Sequence, residues 1–185
     1  MMEGEIQMIK RAAEFAERAH HGAVRKGTKI PYITHPLETA VIAAMMTRDE
    51  ELIAAALLHD TIEDTGITYL ELREQFGARV ADLVAEESED KSRTWLERKS
   101  HTLEHLKTAS YEIKLLTLAD KLSNIRSTAR DYLLVGEQIW ERFNVKEKEK
   151  HAWYYTSMIE RLQELKATPQ YQEYVELCVQ VFGER

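Results

Sequence analysis

The stretch Asp49-Glu50-Glu51-Leu52-Ile53-Ala54-Ala55-Ala56-Leu57-Leu58-His59-Asp60 decides how this chain is expected to fold. Asp49 is a helix-capping residue type, because its carboxylate can accept from the free N–H groups of a first helical turn. Leu52, Ala56 and Leu57 recur at helical spacing, so the stretch reads as a helix with a buried stripe. Its end breaks the pattern, since an apolar run gives way to an imidazole and a carboxylate. Burying a carboxylate is costly unless it is paired or bound to a metal. The helix should therefore deliver His59 and Asp60 to a polar spot inside the core.

The flanking sequence is helical on both sides. Ile6, Ile9, Ala13 and Ala16 carry a helix over about residues 5–21. A loop rich in Arg, Lys and Gly follows from Gly22 to about Ile33. Thr34 or His35 is expected to cap the next helix, with Pro36 near its first position, and to lead it to about Met46. Thr68 with Glu71, and Thr94 with Glu97, have the spacing of capping boxes. They open helices ending near Gly77 and Lys107, with another helix over about 79–87 between them. Ser110 starts a long helix to about Gly136. A short helix over 137–143 and a long one over 145–166 come next, and Thr168-Pro169 opens a last one. Alternating β patterns are absent, so the expected class is all-α. We read residues 1–185 as a single domain, with a core of about 5–165 and a C-terminal helix over about 169–182.

Bulk properties narrow the function. The 185 residues carry 25 Lys+Arg against 32 Asp+Glu, a net charge of −7. That balance argues against a nucleic-acid partner, which usually requires a basic face, but not against a small phosphorylated substrate met by a local basic patch. The lone Cys178 excludes an intrachain disulfide, fits a reducing cytoplasm and reads as a buried core residue. The N-terminus lacks the apolar segment of a signal peptide. No apolar run approaches the roughly 18 residues of a membrane span, so neither a membrane partner nor a membrane location is expected.

Asp120 repeats the anomaly of Asp60, since it follows Leu115-Leu116-Thr117-Leu118-Ala119 within the long helix. His35 sits directly before Pro36. Together His35, His59, Asp60 and Asp120 form a mixed nitrogen and oxygen donor set, whose two carboxylates balance a divalent ion. Mn²⁺ or Fe²⁺ suits it best, with Co²⁺ and Zn²⁺ as alternatives. Such an ion generates hydroxide near neutral pH and polarises a phosphoryl oxygen. If the helix continues past His59, Glu63 shares a face with His59 and Asp60. With Asp64 it could orient the attacking water or take its proton. Asn124 shares a face with Asp120. Arg25, Lys26 and Lys29 stand just before His35, placed to meet phosphate oxygens. The plainer readings stay open at this point: a buried Asp as an ion-pair partner, Glu63 and Asp64 as exposed residues at a helix end, and the basic loop as a solvated one.

Four blocks occur in order: Arg25-Lys26 with Pro31-Tyr32-Ile33-Thr34-His35-Pro36; Leu57-Leu58-His59-Asp60-Thr61-Ile62-Glu63-Asp64-Thr65; Phe76-Gly77 with Val80-Ala81 and Leu83-Val84; and Leu118-Ala119-Asp120-Lys121-Leu122-Ser123-Asn124-Ile125-Arg126. As a set they resemble the HD-domain hydrolases of the RelA/SpoT type, including the stand-alone small alarmone hydrolases. The resemblance implies an HD helical bundle with one Mn²⁺ on His35, His59, Asp60 and Asp120. It implies water activation by Glu63 and Asp64, and substrate contacts from Arg25, Lys26 and Asn124. It suggests Lys91 as a phosphate contact. The implied reaction removes the 3′-pyrophosphate of (p)ppGpp, giving GDP or GTP. Alternatives are hydrolysis of another nucleotide, such as a nucleoside monophosphate or NADPH, and a non-catalytic nucleotide-binding module. The loop departs from the family pattern at Ala23-Val24 and Lys29-Ile30, which bears on the base rather than the metal. Trp153 or Tyr154 could stack a base or could belong to the core.

Overall fold

The structure, a computed structural model, describes residues 2–183, with side chains over residues 7–183. Its elements are α1 (Met2–Ala19), α2 (Thr34–Met46), α3 (Glu50–Leu58), α4 (Thr61–Thr65), α5 (Tyr69–Phe76), α6 (Ala78–Glu87), α7 (Trp95–His105), α8 (Tyr111–Val135), α9 (Lys148–Arg161) and α10 (Pro169–Phe182). Three-residue-per-turn helices span Gly136–Arg142 and Gln163–Leu165. The described residues contain no β-strand, only an isolated bridge between Val24 and Pro31 inside the basic loop. The all-α expectation holds. The side chain of Ile6, read as the first apolar position of α1, lies outside the described residues.

Helix α3 is the centre of the bundle. Every residue from Leu52 to Leu58 is buried, the behaviour of a helix that is apolar all round. It packs against α1, α2, α6 and α8. The 25-residue α8 lies beside it, touching α2 on one flank and α10 on another. Asp120 lies on α8 and Asp60 just past the end of α3, so the polar spot sits beside these two well-buried helices.

Capping follows the sequence at most boundaries. Asp49 accepts from Glu51 N at 3.1 Å and Leu52 N at 3.3 Å. Both capping boxes form, and Thr168 caps α10 with Pro169 in its first turn. Helix α2 departs from expectation. Ile33, not Thr34 or His35, occupies its N-cap, because the Thr34 hydroxyl donates backwards to Pro31 O at 2.8 Å. The helix expected over 145–166 starts only at Lys148 and gives way at Leu162. The His151 ring takes the Val145 carbonyl at 2.7 Å, ahead of the helix start.

Asp49 also holds Arg79 of α6, whose guanidinium bridges to Glu51 at 2.6 Å and to Glu112 of α8 at 2.8 Å. Hydrogen bonding from Arg79 keeps the Asp49 carboxyl below its usual range. A depressed carboxylate contributes stability above its unfolded pKa and loses it as pH falls through the folded one. Asp49→Ala should cost about 1 kcal/mol from the cap alone, or roughly 2–4 °C in Tm for a chain of this size. Thermal melts at pH 7 and pH 3 check it. An unchanged Tm at pH 7, or an equal deficit at both pH values, contradicts it.

Candidate active site

Helix α3 ends one residue before His59, and the chain turns through His59 and Asp60 before α4 begins at Thr61. Side chains take over the carbonyls that the helix leaves free. His59 Nδ1 lies 2.8 Å from Ala56 O, and the Thr61 hydroxyl donates to Leu58 O at 2.6 Å. One helix does not run from His59 through Glu63; it breaks at His59 and the chain restarts with Asp60 as the N-cap of α4, and all three residues still face one cavity. The turn instead places His59 and Asp60 side by side.

Four predicted residues converge there. His59 Nε2 is 3.0 Å from Asp60 Oδ2, 3.1 Å from His35 Nε2 and 3.6 Å from Asp120 Oδ1. His35 Nε2 is 3.1 Å from Asp120 Oδ1 and 3.5 Å from Asp60 Oδ2. His35, His59 and Asp120 are buried, and each offers one donor atom within 4.8 Å of the others'. Asp60 is less enclosed, at 19% side-chain exposure.

Their chemistry can be tested against a cation. The carbonyl of Ala56 only accepts, so His59 Nδ1 is the donor, and a neutral His59 turns a bare Nε2 toward Asp60 and His35. Acceptors then face one another among buried side chains. Only a positive charge between them relieves this, either a proton or a metal ion. Burial alone would lower the His59 pKa, but Asp60 and Asp120 overcome it and hold it well above the ordinary value. Burial opposes ionisation of Asp60 and Asp120 too, yet neighbouring cationic groups hold both well below the carboxylate range. The donor set therefore fits a divalent metal.

A second ring of groups fixes the carboxylates. Tyr32 OH donates to Asp60 Oδ2 at 2.5 Å. Lys121 Nζ donates to Asp120 Oδ2 at 2.5 Å, and Asn124 Nδ2 to Asp120 Oδ1 at 2.6 Å. Arg25 reaches Asn124 Oδ1 at 2.9 Å. Tyr32 and Lys121 were given no role from sequence, although each adjoins a residue that was: Tyr32 lies in the Pro31–Pro36 block and Lys121 follows Asp120.

Glu63 and Asp64 stand on α4 at the same cavity. Glu63 accepts from Glu89 N at 3.1 Å and lies 3.7 Å from Arg98. Burial pushes its carboxyl above the ordinary value despite that hydrogen bond. Lys91 sits on Asp64 and is 4.0 Å from Glu63, so it compensates the carboxylate pair. Half-buried Glu87, on the cavity wall, is pushed by desolvation up to about 7 against the pull of Lys121 and Thr117.

The cavity holds about 650 Å³, within the range of small-molecule sites. Arg25, Lys26, Lys91, Arg98, Lys99, Lys121, Arg130 and Arg142 line it, with Tyr32, Trp95, Phe143 and Tyr155 as its aromatic surfaces. Lys29 is exposed and forms no part of the wall. Neither do Trp153 and Tyr154. Tyr154 is 3% exposed under Lys99, whose ammonium lies 4.8 Å from the ring centre, and Trp153 packs near Trp95. The core reading holds for Tyr154. The aromatic wall escaped the sequence because it gathers from four separate elements. The basic loop is held over the cavity at Gly27, whose φ is +69° and whose missing Cβ leaves room for the Arg142 side chain. Arg142 in turn bonds Asp131 at 2.7 Å.

The all-helical fold with its buried His-His-Asp set defines a class, and the chain belongs to the HD-domain family, whose model matches residues 12–144. It is a hydrolase of the branch that holds the guanosine-3′,5′-bis(diphosphate) 3′-pyrophosphohydrolases. It is 41% identical over 132 residues to the enzyme of that name, MESH1, of Xenopus tropicalis, covering 70% of this chain and 74% of that one. Identity to MESH1 of Homo sapiens is 42% over the same shares. An Aquifex aeolicus protein of the same activity name is 41% identical over 64% of this chain, which spans 17% of that longer protein. Among solved structures, a metazoan ortholog of SpoT that hydrolyses ppGpp superposes with a TM-score of 0.81 at 26% identity, covering 96% of this chain and 97% of that one. A Listeria monocytogenes EGD-e protein gives a TM-score of 0.75 at 35% identity, covering 81% and 99%.

Proposed function

We propose that this chain is a metal-dependent 3′-pyrophosphohydrolase acting on (p)ppGpp, with residues 1–185 working as one domain in the cytoplasm. One observation carries the reading: an acceptor-rich cluster that needs a cation opens onto a cavity whose wall sets basic side chains among its carboxylates. A phosphate-rich nucleotide matches that wall, and the activity of the relatives matches the nucleotide. Among the described residues no helix is long and apolar enough to cross a membrane. Burial pushes the Cys178 thiol up to about 12, which makes it inert and suits a structural role.

His35, His59, Asp60 and Asp120 would hold the ion, for which Mn²⁺ is our choice. A divalent ion there supplies Lewis acidity toward a phosphoryl oxygen and lowers the pKa of water. Glu63 takes the proton of the attacking water, and Asp64, balanced by Lys91, orients it. Water adds to the 3′ phosphorus, the P–O bond to the ribose 3′ oxygen breaks, that oxygen takes up the proton Glu63 removed, and ppGpp yields GDP and pyrophosphate. Asn124 and Arg25 align the substrate beside Asp120, while Lys26 meets phosphate or base from the loop.

Purified protein loaded with Mn²⁺ should convert ppGpp to GDP and pyrophosphate in a chromatographic assay. Turnover of NADPH or a nucleoside monophosphate with ppGpp untouched would overturn the substrate and keep the metal. Arg25→Ala should raise KM about 10- to 100-fold through loss of a charged hydrogen bond. A KM within twofold of the parent, measured in the same assay, removes Arg25 from the substrate site.

A further inference from the structure

We propose that Glu38 and Ser123 are positioning residues that keep the proton of His35 on Nδ1, leaving Nε2 free for the metal, and that Arg126 and Glu173 hold Glu38 from the C-terminal helix. The proposal rests on the metal reading above and extends it to residues outside the cavity wall.

Ser123, fully buried on α8, has its hydroxyl 2.8 Å from His35 Nδ1 and 2.8 Å from Glu38 Oε2. A hydroxyl has one proton to give. An ionised carboxylate can only accept, so that proton goes to Glu38 and the Ser123 oxygen is left to accept. The hydrogen it accepts is the one on His35 Nδ1. The arrangement therefore selects one tautomer of His35. The other tautomer would place N–H on Nε2, pointing at Asp120 Oδ1 3.1 Å away, and a proton would occupy the space of the ion.

Glu38 is itself held. Arg126 NH1 lies 3.2 Å from its other oxygen. The same guanidinium makes a two-pronged bond to Glu173 of α10, with both contacts at 2.6 Å. Paired bonds of this kind fix direction as well as charge. Glu38 stands one turn beyond His35 on α2, and Arg126 one turn beyond Ser123 on α8, so the chain of contacts crosses three helices. Glu173 lies beyond residues 12–144, which the family model covers. Groups that orient a metal-binding imidazole through its second nitrogen typically cost 10- to 100-fold in affinity, about that order here, when removed.

Nitrogen-15 NMR of the metal-free protein reads the tautomer, and calorimetric titration with Mn²⁺ reads affinity. Wild type is expected to carry the His35 proton on Nδ1. In Glu38→Gln the amide can donate to Ser123 and turn the hydroxyl toward His35, so the proton should move to Nε2. Mn²⁺ affinity should fall about tenfold in Glu38→Gln and in Ser123→Ala. Arg126→Gln should cost about two- to fivefold. If buried Ser123→Ala fails to fold, the partly exposed Glu38→Gln decides. An Nε2 proton in the metal-free wild type, or Mn²⁺ affinity within twofold of wild type in Glu38→Gln, overturns the proposal. Failure of the wild type to bind Mn²⁺ overturns the metal reading instead, and the tautomer measurement still judges Glu38 and Ser123.

Discussion

Asp120→Ala is expected to strip the protein of its ion and lower kcat by on the order of 10³ or more. Metal catalysis supplies several kcal/mol of charge stabilisation, and each 1.36 kcal/mol is about tenfold in rate. Asp120 accepts at once from Lys121 and Asn124 and faces both imidazoles, so no neighbour replaces it. The substitution also strands Lys121. Burial would lower that ammonium's pKa, but Asp120 above all holds it well up. Breaking a buried pair typically costs about 3–5 kcal/mol, so part of any loss in Asp120→Ala would be structural. Asp120→Asn separates the two effects, since it keeps the shape and one acceptor while removing the charge. Elemental analysis and Mn²⁺ titration should show affinity down on the order of 100-fold in Asp120→Asn, with a melting curve that stays cooperative. Because a proton on His59 competes for the same space, ion uptake near neutral pH should release protons. Retention of one tightly bound ion in both variants contradicts the site.

Glu63→Gln should keep the ion and lower kcat by about 10²- to 10⁴-fold, the usual contribution of a general base. The substituted amide oxygen can still accept from Glu89 N–H, so the turn stays in place. Burial raises the Glu63 pKa, and a base works only when ionised. The acidic limb of the wild-type kcat profile should therefore lie above the ordinary glutamate value of about 4.3. A raised carboxylate pKa means that the folded state resists the charge, so it lowers stability as pH rises through that window. Glu63→Gln should accordingly be more stable than wild type at neutral pH while nearly inactive. A kcat within threefold of wild type, or loss of the ion from the variant, shows that Glu63 acts otherwise.

The fold and the buried His35-His59-Asp120 cluster were largely legible in the sequence, because both are written in departures from apolar periodicity. His59, Asp60 and Asp120 stand out where helix logic demands Leu or Ala, and capping residues mark most boundaries. Three features were hidden. The end of α3 depends on where the His59 and Thr61 side chains turn, a choice between local hydrogen bonds that no spacing reveals. The failure of Thr34 to cap α2 has the same origin. The cavity wall is assembled from side chains far apart in the chain, so Lys99 and Tyr155 read as ordinary helix residues until the fold brings them together. The resemblance suggests Lys91 as a phosphate contact; what the structure shows is its ammonium against Asp64, where it balances the carboxylates.

Gly27 and Arg142 behave as one heritable character. Arg142 lies where any side chain at position 27 would have to go, and Gly27 holds a backbone shape that other residues rarely take. The basic loop and the turn after α8 thus cannot diversify separately. A lineage that gains a side chain at 27 must first shorten residue 142, and it then loses the bond from Arg142 to Asp131. A replacement at position 27 should therefore arrive paired with one at position 142, not singly.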